Sequence, residues 1–384
     1  MNLLKSAAAV LLFGPLVAVA ADGGLRPRIR DLGVTPGVLT PGPLNAITDV
    51  EGVRVGHRTI VRGDDVRTGV TAVLAHGGDL FREKTPAAVY VGNGFGKAAG
   101  LLQVQELGNL ESPIVLTNTL SVGRAIEAVV RWTLARPGHE DVRSVNAVVG
   151  ETNDGYLNDI RGMHVTYEDV IAAIESAGSG SVEEGSVGAG VGTSAFGWKG
   201  GIGTSSRRLP ESLGGYTVGA LVQSNFGGVL SIDGVRVGEA LGRYSFRDHL
   251  EAGDAAHESD GKGSCMIVLA TDSPLSARNL ERLARRAVLG LARTGGFMSN
   301  GSGDFVIAFS TANLVTGDPL RDQRLLANHR MSPLFLATVE SVEEAVYNSL
   351  TRATTVHGRD DHVREALPLG PLTRLLKRSP SAAE

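Results

Sequence analysis

The chain has 384 residues, 37 Lys and Arg against 41 Asp and Glu, and one cysteine. A formal charge of −4, with no basic run beyond the helix face near Arg282, Arg285 and Arg286, excludes nucleic acid as a partner. The lone Cys265 excludes an intrachain disulfide, so stability must come from packing. The length is compatible with about two domains or one large one. The 51 glycines fall between Val-, Ile-, Leu- and Phe-containing runs, which is not low complexity.

Residues 1–20 read as a secretory signal. Lys5 supplies a positive start, Ala7 to Ala20 an apolar run broken by Gly14-Pro15, and Ala18-Val19-Ala20 a small-x-small cleavage site. The run is too short for a membrane span, and no basic stop-transfer flank favours the rival reading of an uncleaved anchor. Cleavage after Ala20 leaves residues 21–384 as a single domain, periplasmic or secreted, with no membrane attachment once the signal is gone. The Pro-rich 35–43 segment reads as an arm.

Apolar runs predict strands at 53–55, 70–74, 88–91, 113–116, 146–149, 216–222, 266–270 and 305–309. Several are continuously apolar, as strands buried on both faces are. Four helices are signalled. Ser121 caps a stripe of Val122, Ala125, Ile126, Val129 and Val130 that ends at Pro137-Gly138. Thr166 and Asp169 form a capping box, Ser276 opens a helix stopped by Gly295-Gly296, and Ser341 with Glu344 forms a second box. Residues 371–384 read as a polar tail. Buried strands plus amphipathic helices call for helices covering stacked sheets.

Few motifs carry chemistry. Gly92-Asn93-Gly94-Phe95-Gly96-Lys97 has Lys where the dinucleotide fingerprint needs its third glycine, and Ala98 where a phosphate loop needs Ser or Thr. It reads as a tight turn. Gly185–Gly203 reads as glycine turns around Phe196 and Trp198, able to shape a pocket wall. The nine histidines show no metal-ligand spacing, so neither a metal nor another cofactor is expected. No Gly-x-Ser-x-Gly elbow exists, since Asn300 stands where the first glycine before Ser302 should be. Three polar clusters sit at strand ends: Glu151–Asp159, Gln223–Gly227 and Ser299–Asp304. Finally, the polar 257–263 stretch meets an apolar strand at Gly263-Ser264. A glycine-containing loop is open to cleavage, and a serine heading a strand is held rigidly. A break there would give Ser264 an α-amino group beside its own hydroxyl, nucleophile and base in one residue.

Together these segments resemble the L-aminopeptidase/D-Ala-esterase/amidase family, self-processing N-terminal-serine aminopeptidases that include the β-peptidyl aminopeptidases. The likeness runs through Arg30-Asp31-Leu32-Gly33, Asn45 to Val50, Gly92-Asn93-Gly94, Glu151 to Asp159, Gly200 to Ser206, Gly263-Ser264, Ala270-Thr271-Asp272 and Asn300 to Asp304. It implies an α/β fold, a four-layer αββα sandwich like that of N-terminal-nucleophile hydrolases but with different connectivity. It also implies self-cleavage at Gly263–Ser264 into 21–263 and 264–384, two chains that stay associated, in a homotetramer of cleaved pairs. Ser264 matches the nucleophile, Asn225 the oxyanion amide, and Tyr156 an active-site tyrosine. Ser302 and Asp304 match the pair that supports the nucleophile; where some relatives carry Glu, Asp304 has a shorter reach. Cys265 reads as a small buried strand residue.

The activity implied is removal of unblocked N-terminal residues from short peptides, amides and esters through an acyl-enzyme on Ser264. β-Amino acids, small L-residues and D-Ala are the candidate residues. The base is either the Ser264 amine or the Ser302–Asp304 pair. Glu151 is the candidate partner for the substrate ammonium, on the segment that carries Tyr156; the competing reading is a local turn cap. Two other functions fit less well. An acyltransferase of the ornithine-acetyltransferase type shares the general fold but usually processes at threonine, and export argues against it. A non-enzymatic exported binding protein would stay as an uncut chain.

Overall fold

The computed structural model describes residues 25–252 and 262–378; residues 1–24, which include the expected 1–20 signal, the 253–261 stretch before Gly263-Ser264, and residues 379–384 lie outside that set. β1 (Arg54–Arg62) and β2 (Val66–Leu74) form a hairpin, and β3 (Thr85–Gly94) leaves for a second sheet. α1 (Leu101–Leu107) and the short β4 (Asn109–Leu110) lead to β5 (Ile114–Asn118), α2 (Val122–Leu134), β6 (Val148–Thr152) and α3 (Tyr167–Glu175). A small hairpin follows, β7 (Ser194–Ala195) with β8 (Trp198–Lys199). Then come β9 (Gly201–Arg208), β10 (Thr217–Asn225) and two short helices, α4 (Val237–Ala240) and α5 (Arg247–Ala252). β11 (Lys262–Thr271), α6 (Ala277–Arg293), β12 (Gly301–Ser310) and α7 (Ser332–Thr351) finish the second sheet and its cover. β13 (Val356–His357), β14 (Val363–Arg364) and α8 (Leu369–Leu376) end the described chain.

The strands form two main sheets, in the orders β1-β2-β5-β6 and β4-β3-β12-β11-β10-β9. α2 and α3 pack on the first, α6 and α7 on the second, and the sheets face each other with β11 against β6. This is the expected four-layer αββα sandwich. β11 lies at its centre, antiparallel to β10 and parallel to β12. Its side chains alternate between two apolar layers. Met266, Val268 and Ala270 enter the core between the sheets, while Cys265, Ile267 and Leu269 pack beneath α6 and α7. Burial on both faces explains why β11 and β12 read as unbroken apolar runs.

Several local expectations need correction. β9 escaped notice because Gly201-Ile202-Gly203-Thr204-Ser205-Ser206-Arg207 looks polar, yet all seven residues are buried. Arg207 is fully enclosed and pairs with Glu340 and Glu344, which offsets its desolvation. Gly203 is needed there: a Cβ would come within 1.9 Å of the Ala345 carbonyl oxygen, so glycine lets α7 lie directly on the strand. Ser341 and Glu344 do not cap a helix. α7 begins at Ser332, with Pro333 in its first turn. Ser341 Oγ donates to the Val218 carbonyl mid-helix, and Glu344 binds Arg30, Asn45 and Arg207. Ser121 stands at the N-cap of α2 as expected but makes no side-chain cap; Asn118 Oδ1 accepts from the Ser121 amide and caps the short 3-10 turn just before α2. The 371–384 tail is helical at its start, where α8 buries Leu372. The Thr166–Asp169 box and the Ser276 cap form as expected.

Candidate active site

Three strand ends bring the polar clusters together. β10 ends at Asn225, which lies opposite Ser264 in the β10–β11 register. On the other side of β11, Gly263 lies opposite Ser302, and Cys265 opposite Asp304. β6 carries Glu151 from the facing sheet. A cavity of about 930 Å³ opens here, lined by Glu151, Tyr156, Asn225, Gly263 and Ser264 among others. Ser302 and Asp304 do not line it; both are buried behind Ser264.

Ser264 is 4% exposed, and its Oγ donates to the Gly263 carbonyl oxygen at 2.5 Å. The hydroxyl therefore rests beside the peptide group that precedes it. Gly263 is required by its surroundings, because a Cβ would stand 2.9 Å from Phe226 Cα and 3.2 Å from the Asn225 carbonyl oxygen. The Asn225 amide is oriented from both ends. Its Oδ1 accepts from the Ser194 amide at 2.9 Å, and its Nδ2 donates to the Asn153 carbonyl at 3.1 Å. With Oδ1 so held, the second hydrogen on Nδ2 remains to donate.

Ser302 Oγ donates to Asp304 Oδ1 at 2.9 Å, so the shorter carboxylate reaches its serine. Burial pushes the Asp304 carboxyl up to about 6; the Ser302 hydroxyl and the Cys265 amide offset only part of that cost. Burial also raises the Cys265 thiol, consistent with an inert strand residue.

Glu151 is almost fully buried. Its Oε1 accepts from the Lys97 amide at 3.1 Å, and its Oε2 accepts from the Thr119 hydroxyl. Both partners come from other segments, so Glu151 does not cap its own turn. Tyr156 stacks on His362, with ring centres 4.4 Å apart, and the Arg364 guanidinium carbon lies 3.6 Å from its ring centre.

Some contributors lie in segments that read only as turns or wall in the sequence. The 92–97 segment does more than turn: Lys97 orients Glu151, and Asn93 Nδ2 donates to the carbonyls of Ser299, Asn300 and Ser302. Ser194, Phe196 and Gly197 form the glycine-framed wall, as the sequence allows. Beneath it, buried Lys199 Nζ donates to the carbonyls of Gly190 and Gly200 at 2.7 and 2.8 Å. Burial lowers this ammonium to about 7, against the pull of the Asp154 charge, and raises the Asp154 carboxyl to about 7. This polar floor braces the β7–β8 hairpin, and with it the Ser194 amide that holds Asn225.

An αββα sandwich with a polar cavity at the head of a central strand is the arrangement of the N-terminal-nucleophile hydrolases. A model of peptidase family S58 matches residues 45–364. The β-peptidyl aminopeptidase BapA of Sphingosinicella microcystinivorans is 42% identical over 386 aligned residues, covering 94% of each chain. Two solved structures superpose with a TM-score of 0.83 while covering 92% of this chain and 99% of their own. One is a Burkholderia sp. β-aminopeptidase, 40% identical. The other is the L-aminopeptidase D-Ala-esterase/amidase of Ochrobactrum anthropi, 38% identical and described as a variant of the Ntn-hydrolase fold. The chain belongs to peptidase family S58 and is a serine aminopeptidase.

Proposed function

We propose that this is an exported enzyme that cleaves itself between Gly263 and Ser264, then removes unblocked N-terminal residues from short peptides, amides and esters. The observation that carries the reading is the position of Ser264. It heads a central strand, with its hydroxyl on the Gly263 carbonyl and with Asn225 opposite it in the same cavity. In maturation, Ser264 Oγ attacks the Gly263 carbonyl carbon, the peptide nitrogen leaves as the Ser264 amine, and water hydrolyses the resulting ester to free the Gly263 carboxylate. In turnover, the same oxygen attacks the carbonyl of the substrate's first bond. The proton passes to the Ser264 amine, whose ordinary pKa is about 8, or to the Ser302–Asp304 pair. Asn225 Nδ2 donates to the oxyanion, a contact worth about 3–4 kcal/mol in comparable sites. The leaving amine takes the proton, and water releases the acyl group from Ser264.

The substrate class follows from Glu151, which offers a carboxylate to an ammonium, and from the relatives' β-peptidyl and L-amino activities. N-terminal β-amino acids come first, with small L-residues and D-Ala after them. The signal-like 1–20 segment supports export. The test is intact mass and N-terminal sequencing of the purified, denatured protein. Two fragments with Ser264 as one N-terminus are expected; a single uncut chain active on peptides would overturn the processing half.

Two outcomes follow from the geometry. Gly263→Ala pushes a methyl into the Phe226 backbone, overpacking that typically costs about 1–3 kcal/mol. Self-cleavage slows by about tenfold or more, read as persistence of uncut chain on a denaturing gel; parent-rate cleavage would remove the steric argument. The second concerns Asp304. Its carboxyl is raised to about 6 in the fold, so its contribution to stability is present below about 4 and lost as pH rises through about 6. Where the Ser302–Asp304 pair is the base, activity runs the opposite way, because only the ionised form accepts the Ser302 proton. The parent kcat/KM falls about tenfold per pH unit below about 6. Asp304→Asn leaves a weak rate without that inflection and raises the melting temperature at pH 8 relative to an unchanged acid value. An acid limb that survives in Asp304→Asn assigns the titration elsewhere.

A further inference from the structure

Four cations line the cavity: Lys97, Arg243, Arg247 and Arg364. Arg243 and Arg247 are paired with carboxylates, and Lys97 is exposed to solvent. The Lys97 ammonium lies over the Phe95 ring at 5.3 Å. Arg243 pairs with Glu365 and donates to the Gly197 carbonyl. Arg247 binds both oxygens of Glu251, and the exposed Asp248 at the mouth adds to its field. Arg364 differs. It is half-buried, its Nε donates to Ser194 Oγ at 3.0 Å, and its guanidinium carbon lies over the Tyr156 ring. Among the described residues no carboxylate pairs with it. Desolvation holds it below the ordinary guanidinium range; the Tyr156 phenol acts against this, and the nearby Arg243 charge adds to it. A partly desolvated guanidinium without a counter-ion is costly unless a ligand supplies one.

Its position suggests which ligand. Ser194 joins Arg364 to the reaction centre, since the Ser194 amide holds Asn225 Oδ1 and Asn225 stands opposite Ser264. Glu151 is held by a separate set of residues, Lys97 and Thr119. The cavity thus offers a carboxylate and a guanidinium, held by different residues, together with the serine among its lining side chains. Guanidinium is the side chain suited to two parallel hydrogen bonds with a carboxylate.

We propose that Arg364, set over the Tyr156 ring, is a subsite for the free α-carboxylate of the residue released from the scissile bond. The enzyme is therefore tuned to zwitterionic dipeptides over the corresponding C-terminal amides. This rests on the aminopeptidase reading above. The test compares β-Ala-Leu with β-Ala-Leu amide, which share the bond to be cut. The parent enzyme is expected to favour the free acid by about tenfold or more in kcat/KM, chiefly through KM. Arg364→Gln brings the ratio close to one, and Arg364→Lys keeps part of it. The ratio is the readout because losing the Ser194 contact can slow both substrates equally. A parent ratio of one or less, or a ratio unchanged in Arg364→Gln, overturns the subsite while leaving the aminopeptidase reading standing. Failure of the parent to turn over either compound overturns both.

Discussion

Ser264→Ala yields one uncut chain from the signal site to the C-terminus and lowers aminopeptidase turnover by about 10⁴- to 10⁶-fold, the scale of loss when a serine hydrolase loses its nucleophile. Both effects come from one oxygen. Ser264 Oγ lies against the Gly263 carbonyl, and under the proposed mechanism it is the attacking atom in both maturation and turnover. The fold should survive the change. Among the described residues, the side-chain hydrogen bond lost is the one to that carbonyl, while β11 keeps its backbone pairing to β10 and β12. Ser264→Cys retains a nucleophilic atom at the same place and should cut slowly, which separates lost chemistry from lost structure. Denaturing gels and intact mass read the cleavage, and release of β-Ala from short peptides reads the turnover. A Ser264→Ala chain that still parts at Gly263–Ser264 would require another attacking group.

How much of this was legible in the sequence depends on how each residue is buried. β11 and β12 were visible because apolar layers on both faces demand apolar residues at every position. β9 was hidden because its burial is satisfied by polar pairing: Arg207 with Glu340 and Glu344, Thr204 with the Ala220 carbonyl, Ser205 with the Ser341 carbonyl. The same pairing disguised Ser341 and Glu344, whose spacing imitates a capping box in the middle of α7. At the site, residues at the ends of long apolar strands stood out: Glu151, Asn225 and the Gly263–Ser264 junction. The Ser299–Asp304 cluster stood out at the head of β12 in the same way; the roles of Asn225, Ser302 and Asp304 came through the resemblance, and the β11–β12 register sets Ser302 and Asp304 beside Gly263 and Cys265. Lys97, Thr119, Ser194 and Arg364 carried no local pattern. They act through a backbone amide, a single hydroxyl or a lone guanidinium, and only the folded chain brings them to the cavity.

Glu151→Gln is expected to lower kcat/KM for free N-termini by tens- to thousands-fold while self-cleavage proceeds at the parent rate. The two activities separate because maturation attacks a bond with no free amine nearby, whereas turnover must hold a substrate ammonium. A buried charge that loses its partner typically costs about 3–5 kcal/mol, and about 1.4 kcal/mol is a factor of ten. Glutamine keeps the shape of the site. Its oxygen can still accept from the Lys97 amide, and the Thr119 hydroxyl can turn to accept from its NH₂ group, so the loss isolates charge from packing. The same argument fixes the substrate comparison. An N-acetylated peptide presents no ammonium to Glu151, so the parent should reject it by a similar factor, and Glu151→Gln should narrow the gap between acetylated and free substrates. Steady-state kinetics on β-Ala-Leu and its acetylated form, beside a gel of the processed chains, measure both quantities. Equal turnover of the two substrates by the parent, or unchanged kinetics in Glu151→Gln, would place ammonium recognition on a different residue.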